Sequence, residues 1–210
     1  MIVGTTVCTV AVGDRAALAD LVTALNRQST RPDELVVAYL GDGPYDDLPR
    51  AAFRLKTLMV PAGPRLPRPR ATARNRAAMV ANGRTLIFVD AGCIPGPDVV
   101  RALEDRVAAT GGFAIGDTRA APRPDGAWRF DEMWIGSSST QAEAASTADI
   151  WCGDVFALPK LRYLRLGGFD ETVGRDAFVH AVSRAGVPVD RDPRAQVVRV
   201  TPEPPRARVA

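Results

Sequence analysis

Three short apolar runs, each followed closely by an aspartate, constrain this chain more than any other feature. Thr5–Val12 (TTVCTVAV) stops at Gly13-Asp14, Leu35–Leu40 (LVVAYL) at Gly41-Asp42-Gly43-Pro44, and Thr85–Val89 (TLIFV) on Asp90. Short runs rich in β-branched residues read as strands buried on both faces. Between the first two, Asp14 is placed to cap a helix whose apolar residues Leu18, Leu21, Val22 and Leu25 recur at helical spacing until Arg31-Pro32-Asp33 breaks it. Leu55–Val60 reads as a third strand and Ala71–Asn82 as an Ala-rich helix. The stretch PAGPRLPRPR at 61–70 reads as a loop, because Pro64, Pro67 and Pro69 oppose regular helix. Strand, helix, strand, strand, helix, strand is the first half of an α/β domain with a mainly parallel sheet. Ligands bind such sheets at the carboxyl ends of the strands, so Asp14, Asp42 and Asp90 are expected to converge on one crevice.

The second half is less regular. A helix is expected from Pro97, a strand over Phe113–Asp117, a turn-rich loop over 119–127 and a polar loop at Ser137–Thr140. Ile150–Leu158 reads as a strand, Asp176–Ala185 as a helix and Ala195–Val200 as a last strand. The 210 residues fit one domain over 1–200, with a frayed tail expected at 201–210. No apolar run reaches the roughly 18 residues of a membrane span, and the start MIVGTTVCTV has no basic n-region. No transmembrane segment or signal peptide is therefore expected. Cys8, Cys93 and Cys152 are too scattered for a disulfide framework, which points to a reduced, cytoplasmic setting.

Net charge is +3, but it is unevenly spread. Residues 48–89 contain no acid and nine bases (Arg50, Arg54, Lys56, Arg65, Arg68, Arg70, Arg74, Arg76 and Arg84), while the remainder sums to −6. That division excludes a uniformly basic nucleic-acid coat and points to one local anion-attracting region.

Three stretches carry motif-like spacing: Leu25–Gly43 (LNRQSTRPDELVVAYLGDG), Ala73–Pro97 (ARNRAAMVANGRTLIFVDAGCIPGP) and Gly167–Gly186 (GGFDETVGRDAFVHAVSRAG). In that order, over roughly residues 5–186, they resemble the GT-A glycosyltransferases that use nucleotide sugars, in particular the inverting family 2. The resemblance implies a single Rossmann-like GT-A domain with a mixed, mostly parallel sheet flanked by helices, its nucleotide-sugar-binding half in 1–95 and its acceptor half in 96–200. It implies transfer of a sugar from a nucleotide-sugar donor to an acceptor hydroxyl, on a small molecule, a glycan or a lipid-linked glycan, with inversion. By the same resemblance Asp42 and Asp90 hold the nucleoside, Arg74 and Asn75 face the diphosphate, and Asp176 is the catalytic base. Asp170, Glu171 and Trp151 belong to the acceptor side.

The chain departs from that pattern in two places. The second acid of the family's D-x-D, a ligand for Mn2+ or Mg2+, is Gly92 here, so the metal ligand set is incomplete. The acid before Asp176 is Arg175. If a cation is missing, arginines of the Pro/Arg loop (Arg65, Arg68, Arg70) and Arg74 are the expected replacement, since a guanidinium is always charged and fits phosphate oxygens two at a time. The alternative to an enzyme is a degenerate relative that binds a nucleotide, sugar or protein without turnover. Other chemistries find little support. His180 is the only histidine, neither G-x-S-x-G nor a strand-following G-x-G-x-x-G occurs, and Cys93, Trp128 and Trp134 read equally well as core.

Overall fold

The computed structural model describes residues 4–61, 67–124, 126, 128–130, 132–134, 143–144 and 154–201. Strands β1 (Thr5–Ala11) and β2 (Glu34–Leu40) are buried along their whole length, as two-faced apolar runs require. β3 (Arg54–Val60), β2, β1 and β4 (Thr85–Val89) lie side by side and parallel. The sheet continues through β8 (Val155–Pro159), β6 (Phe113–Pro122), β9 (Val189–Thr201) and β5 (Cys93–Pro95), with β7 (Glu143–Ala144) on β9. The sheet is mixed and mostly parallel; the antiparallel pairings are β4–β8, β6–β8, β5–β9 and β7–β9.

Helices cover both faces. α1 (Arg15–Asn26) and α3 (Val99–Thr110) pack Leu18, Leu21, Leu25, Val99 and Leu103 on one. On the other lie α2 (Pro69–Val80), α4 (Lys160–Arg165) and α5 (Arg175–Arg184), through Ala73, Ala77, Tyr163, Phe178 and Val182. Asp14 caps α1 as expected, its carboxylate accepting from the Ala17 N–H at 2.9 Å. The two lysines of the chain both serve the C-terminus of α2. Lys56 donates to Val80 O at 2.7 Å, and Lys160 to Ala81 O at 2.6 Å, so ammonium groups satisfy carbonyls left over at the helix end.

Four expectations need correction. α2 begins at Pro69, inside the stretch read as loop, because a proline in the first helical turn forfeits only an N–H that the helix does not use. Residues 119–122 continue β6 instead of forming a loop, paired with Arg199 and its neighbours on β9. β9 is much longer than Ala195–Val200: Asp192 accepts from the Arg194 N–H at 3.0 Å and so carries the strand through Arg191-Asp192-Pro193. Thr201, expected in the tail, is its last residue. Arg65, Ser137–Thr140, Trp151, Cys152 and 202–210 lie outside the described residues. Among those described, no helix is long and apolar enough to cross a membrane.

Candidate active site

Two clefts open at the carboxyl edge of the parallel strands. The first, about 280 Å³, is walled by Val10, Val12, Asp14, Asp90, Gly92 and Arg199, among others. The second, about 440 Å³, is walled by Arg68, Arg74, Phe169, Gly174 and Asp176, among others. Arg70 lines both. The strand registers explain the first cleft, since β1 lies between β2 and β4 and the residues following β1 and β4 emerge next to each other. Asp14 and Asp90 therefore meet there. Asp42 sits exposed in the turn after β2, at the same edge but outside the lining of either cleft.

The second cleft lies against two helix starts. α2 begins at Arg68-Pro69-Arg70 and α5 at Gly174-Arg175-Asp176, and neither N-cap residue makes a side-chain capping bond. The positive ends of two helix dipoles favour an anion in this space. Asp176, on the first turn of α5, is exposed rather than partly buried as a base raised by burial would be.

Arg74 connects the two clefts. Its Nη2 donates to Asp90 Oδ1 at 2.5 Å, and its guanidinium lies over the Phe169 ring, 5.3 Å from the centroid. Phe169 is one of six rings, with Phe88, Phe113, Phe156, Tyr163 and Phe178, that pack behind the cleft. Burial pushes the Tyr163 phenol well up, so it stays protonated and donates to Asn75 Oδ1 at 2.6 Å.

Asn75, expected on the diphosphate side, has its whole amide engaged within the protein. Oδ1 also accepts from the Phe169 N–H at 2.9 Å, while Nδ2 donates to Phe169 O at 2.8 Å and to Glu171 Oε1 at 2.9 Å. Glu171 is held further by the Thr72 hydroxyl at 2.9 Å. Asp170 accepts from the Thr172 hydroxyl at 2.6 Å and from the Val173 and Thr172 N–H groups, which hold its carboxyl below the usual range. The Gly167–Gly174 segment is thus laced to α2 and to itself, and Gly174 hands the chain to α5. Trp128 donates to Asp20, and Trp134 packs near Ile94 and Val198; neither lines these two clefts. His180 is exposed on α5, and Cys93 is buried.

Two contributors to the first cleft escaped sequence reasoning. Arg199 Nε donates to Asp154 Oδ2 at 2.6 Å, and both side chains line the cleft beside Gly92. Cys93 faces Arg199 across the β5–β9 pairing. Nothing in the linear pattern marks that pairing, because β5 is three residues long.

No protein-family model matches the sequence, and no curated protein matches it. Solved structures do. One, described as GalNAc-T7 with UDP, GalNAc and Mn2+, superposes with a TM-score of 0.69 at 16% identity, covering 95% of this chain and 44% of that one. Another, S. aureus TarS 1-349 in complex with UDP-GlcNAc, gives 0.69 at 12% identity, covering 98% and 61%. The chain has the GT-A fold. A longer S. aureus TarS structure agrees, at 0.65 and 11% identity with 94% and 36% covered. The chain spans less than two thirds of each of these proteins. Identities this low support the GT-A fold and leave the family open.

The GalNAc-T7 structure contains Mn2+, which makes the donor set here a matter of chemistry. Among the described residues no three His, Cys, Asp or Glu side chains stand together as metal ligands. Gly92 brings no side-chain oxygen, Asp90 is held by Arg74 and Asp154 by Arg199. These residues do not fit a divalent cation of the D-x-D type.

Proposed function

We propose that the chain is a glycosyltransferase that moves a sugar from a nucleotide-sugar donor to an acceptor hydroxyl with inversion. The observation that carries this reading is Arg70. It joins a cleft bearing Asp90 to one bearing the starts of two helices and a carboxylate, Asp176. In this reading the nucleoside occupies the first cleft against Asp90, with Asp42 closing over it from the β2 turn. The diphosphate lies at Arg70, with Arg68 and Arg74 near by. Asp176 takes the proton of the acceptor hydroxyl as its oxygen attacks the anomeric carbon. The bond from that carbon to the diphosphate oxygen breaks on the opposite face, and the diphosphate leaves with its charge met by the arginines and helix ends. Asn75 positions Arg74 and the Gly167–Gly174 segment. Asp170 and Glu171 shape the acceptor side, to which we also assign Trp151. The UDP and UDP-GlcNAc of the fold neighbours make uridine nucleotides the first donors to try.

One observation favours a second reading, binding without turnover: Arg175 stands beside Asp176 where active relatives carry an acid, and Asp176 is exposed. A panel of nucleotide sugars, assayed with and without Mn2+ by product NMR, separates the two. Release of nucleoside diphosphate with an inverted product supports the enzyme. Binding with no release supports the second reading, and no binding defeats both.

A further inference from the structure

Two arginine–carboxylate pairs border the first cleft beside Gly92. Arg74 holds Asp90 at 2.5 Å and Arg199 holds Asp154 at 2.6 Å. The Asp90 N–H donates to the Asp154 carbonyl at 3.1 Å, so the two carboxylates sit on adjoining segments. The Val200 N–H donates to the Gly92 carbonyl at 2.9 Å, which places the Arg199 end of β9 directly against Asp90-Ala91-Gly92. Among the described residues the space at Gly92 is open: a Cβ there would meet none of their atoms within 4 Å.

We propose that Arg199, latched by Asp154, is the cation that receives the diphosphate beside Gly92, so that nucleoside diphosphates bind this chain without a divalent metal. The proposal rests on the reading of the clefts as a nucleotide-sugar site. Arg199 differs from the other bases of the cleft in where it sits and what remains of it. Arg74 is mostly covered, with a side chain 18% exposed, and spends itself on Asp90 and Phe169. Arg199 is 50% exposed. Its bond to Asp154 uses Nε alone, which leaves the N–H groups of both Nη atoms for phosphate oxygens. The Asp154 partner raises the affinity of the guanidinium for its proton and fixes its plane. Arg70 lies on the same cleft, so a diphosphate there meets two forks. The lining of the cleft carries three carboxylates, Asp14, Asp90 and Asp154, against two guanidiniums, Arg70 and Arg199, with Arg74 paired to Asp90 from beside it. The gain on binding therefore comes from directed donors at one place rather than from a broad positive field. A metal that used Asp90 or Asp154 would have to displace a guanidinium from it.

The test is calorimetric titration of the full chain with UDP, GDP, CDP and ADP, each in EDTA and in Mn2+. We expect at least one to bind with dissociation constants within twofold under the two conditions. Arg199→Met, and the double variant Arg199→Met/Asp154→Asn, which leaves no orphaned carboxylate, should each weaken it at least tenfold. Arg199→Lys, which keeps the charge, should recover part of the loss and guards against a merely misfolded variant. Adding Gly92→Asp to Arg199→Met should restore binding in Mn2+ and not in EDTA. Wild-type binding that disappears in EDTA, or Arg199 variants that bind as wild type, would overturn the inference and leave the nucleotide-site reading intact. A wild-type chain that binds no nucleotide in either condition would overturn both.

Discussion

Replacing Asn75 by alanine separates two roles that its place in the sequence confounds, ligand of the diphosphate and fastener of the site. The structure supports the fastener. Alanine would remove four hydrogen bonds, three of them to groups in the packed interior: the Tyr163 hydroxyl and the N–H and carbonyl of Phe169. Tyr163 is 1% exposed and Phe169 3%, so water does not readily replace the lost partner. At about 1 kcal/mol net for each bond, more where a donor is left unpaired, the loss comes to about 3–4 kcal/mol. For a chain of this size, about 2–4 °C per kcal/mol places the melting temperature about 10 °C lower. Thermal unfolding by circular dichroism measures it, and calorimetric titration with the best nucleotide runs beside it. A melting temperature within about 2 °C of wild type, together with lost nucleotide binding, would refute the reasoning and make Asn75 a ligand.

Other consequences are equally direct. Asp176→Asn should lower kcat about 100-fold or more with nucleotide affinity unchanged, and because Asp176 is exposed on the first turn of α5, stability should move by no more than about 1 kcal/mol. Cys8 and Cys93 are each 1% exposed, and burial pushes both thiols well up, so neither should react with Ellman's reagent before unfolding. Burial pushes the Glu34 carboxyl up, but bonds from the Asn82 N–H, the Thr6 hydroxyl and Lys56 outweigh it and hold the carboxyl below its usual value. A carboxyl depressed in the folded state stabilises above its unfolded value of about 4.3 and ceases to do so as pH falls through the folded one. Glu34→Gln should thus cost about 3 kcal/mol at pH 7 and clearly less near pH 3, as read by urea denaturation.

How much of this was legible in the sequence depended on where the determining contacts lie. β1, β2, β4 and α1 announced themselves because burial on two faces, or on one helical face, writes a local pattern. β5 and α4 did not: Cys93–Pro95 is too short for any alternation, and the six residues of α4 have no side-chain cap. The motif segments brought Arg74, Asp90 and Asp176 to the clefts, since Asp90 follows a strand end, Asp176 opens α5 and Arg74 lies in the second turn of α2. Arg199 and Asp154 stayed hidden because their pairing spans 45 residues and depends on how the second half of the sheet closes. The nine-base stretch proved to be two things. Arg68, Arg70 and Arg74 stand at the clefts, whereas Lys56 holds Glu34 and a helix end, and Arg76 and Arg84 are exposed outside the cleft linings.

The most direct test of the account is a crystal structure of the chain soaked with UDP or a UDP-sugar. The diphosphate should lie within hydrogen-bonding distance of Arg70, with the nucleoside running toward Asp90 and the sugar carbon facing Asp176. A nucleotide bound anywhere else, or one whose phosphates touch none of Arg68, Arg70, Arg74 and Arg199, would contradict it.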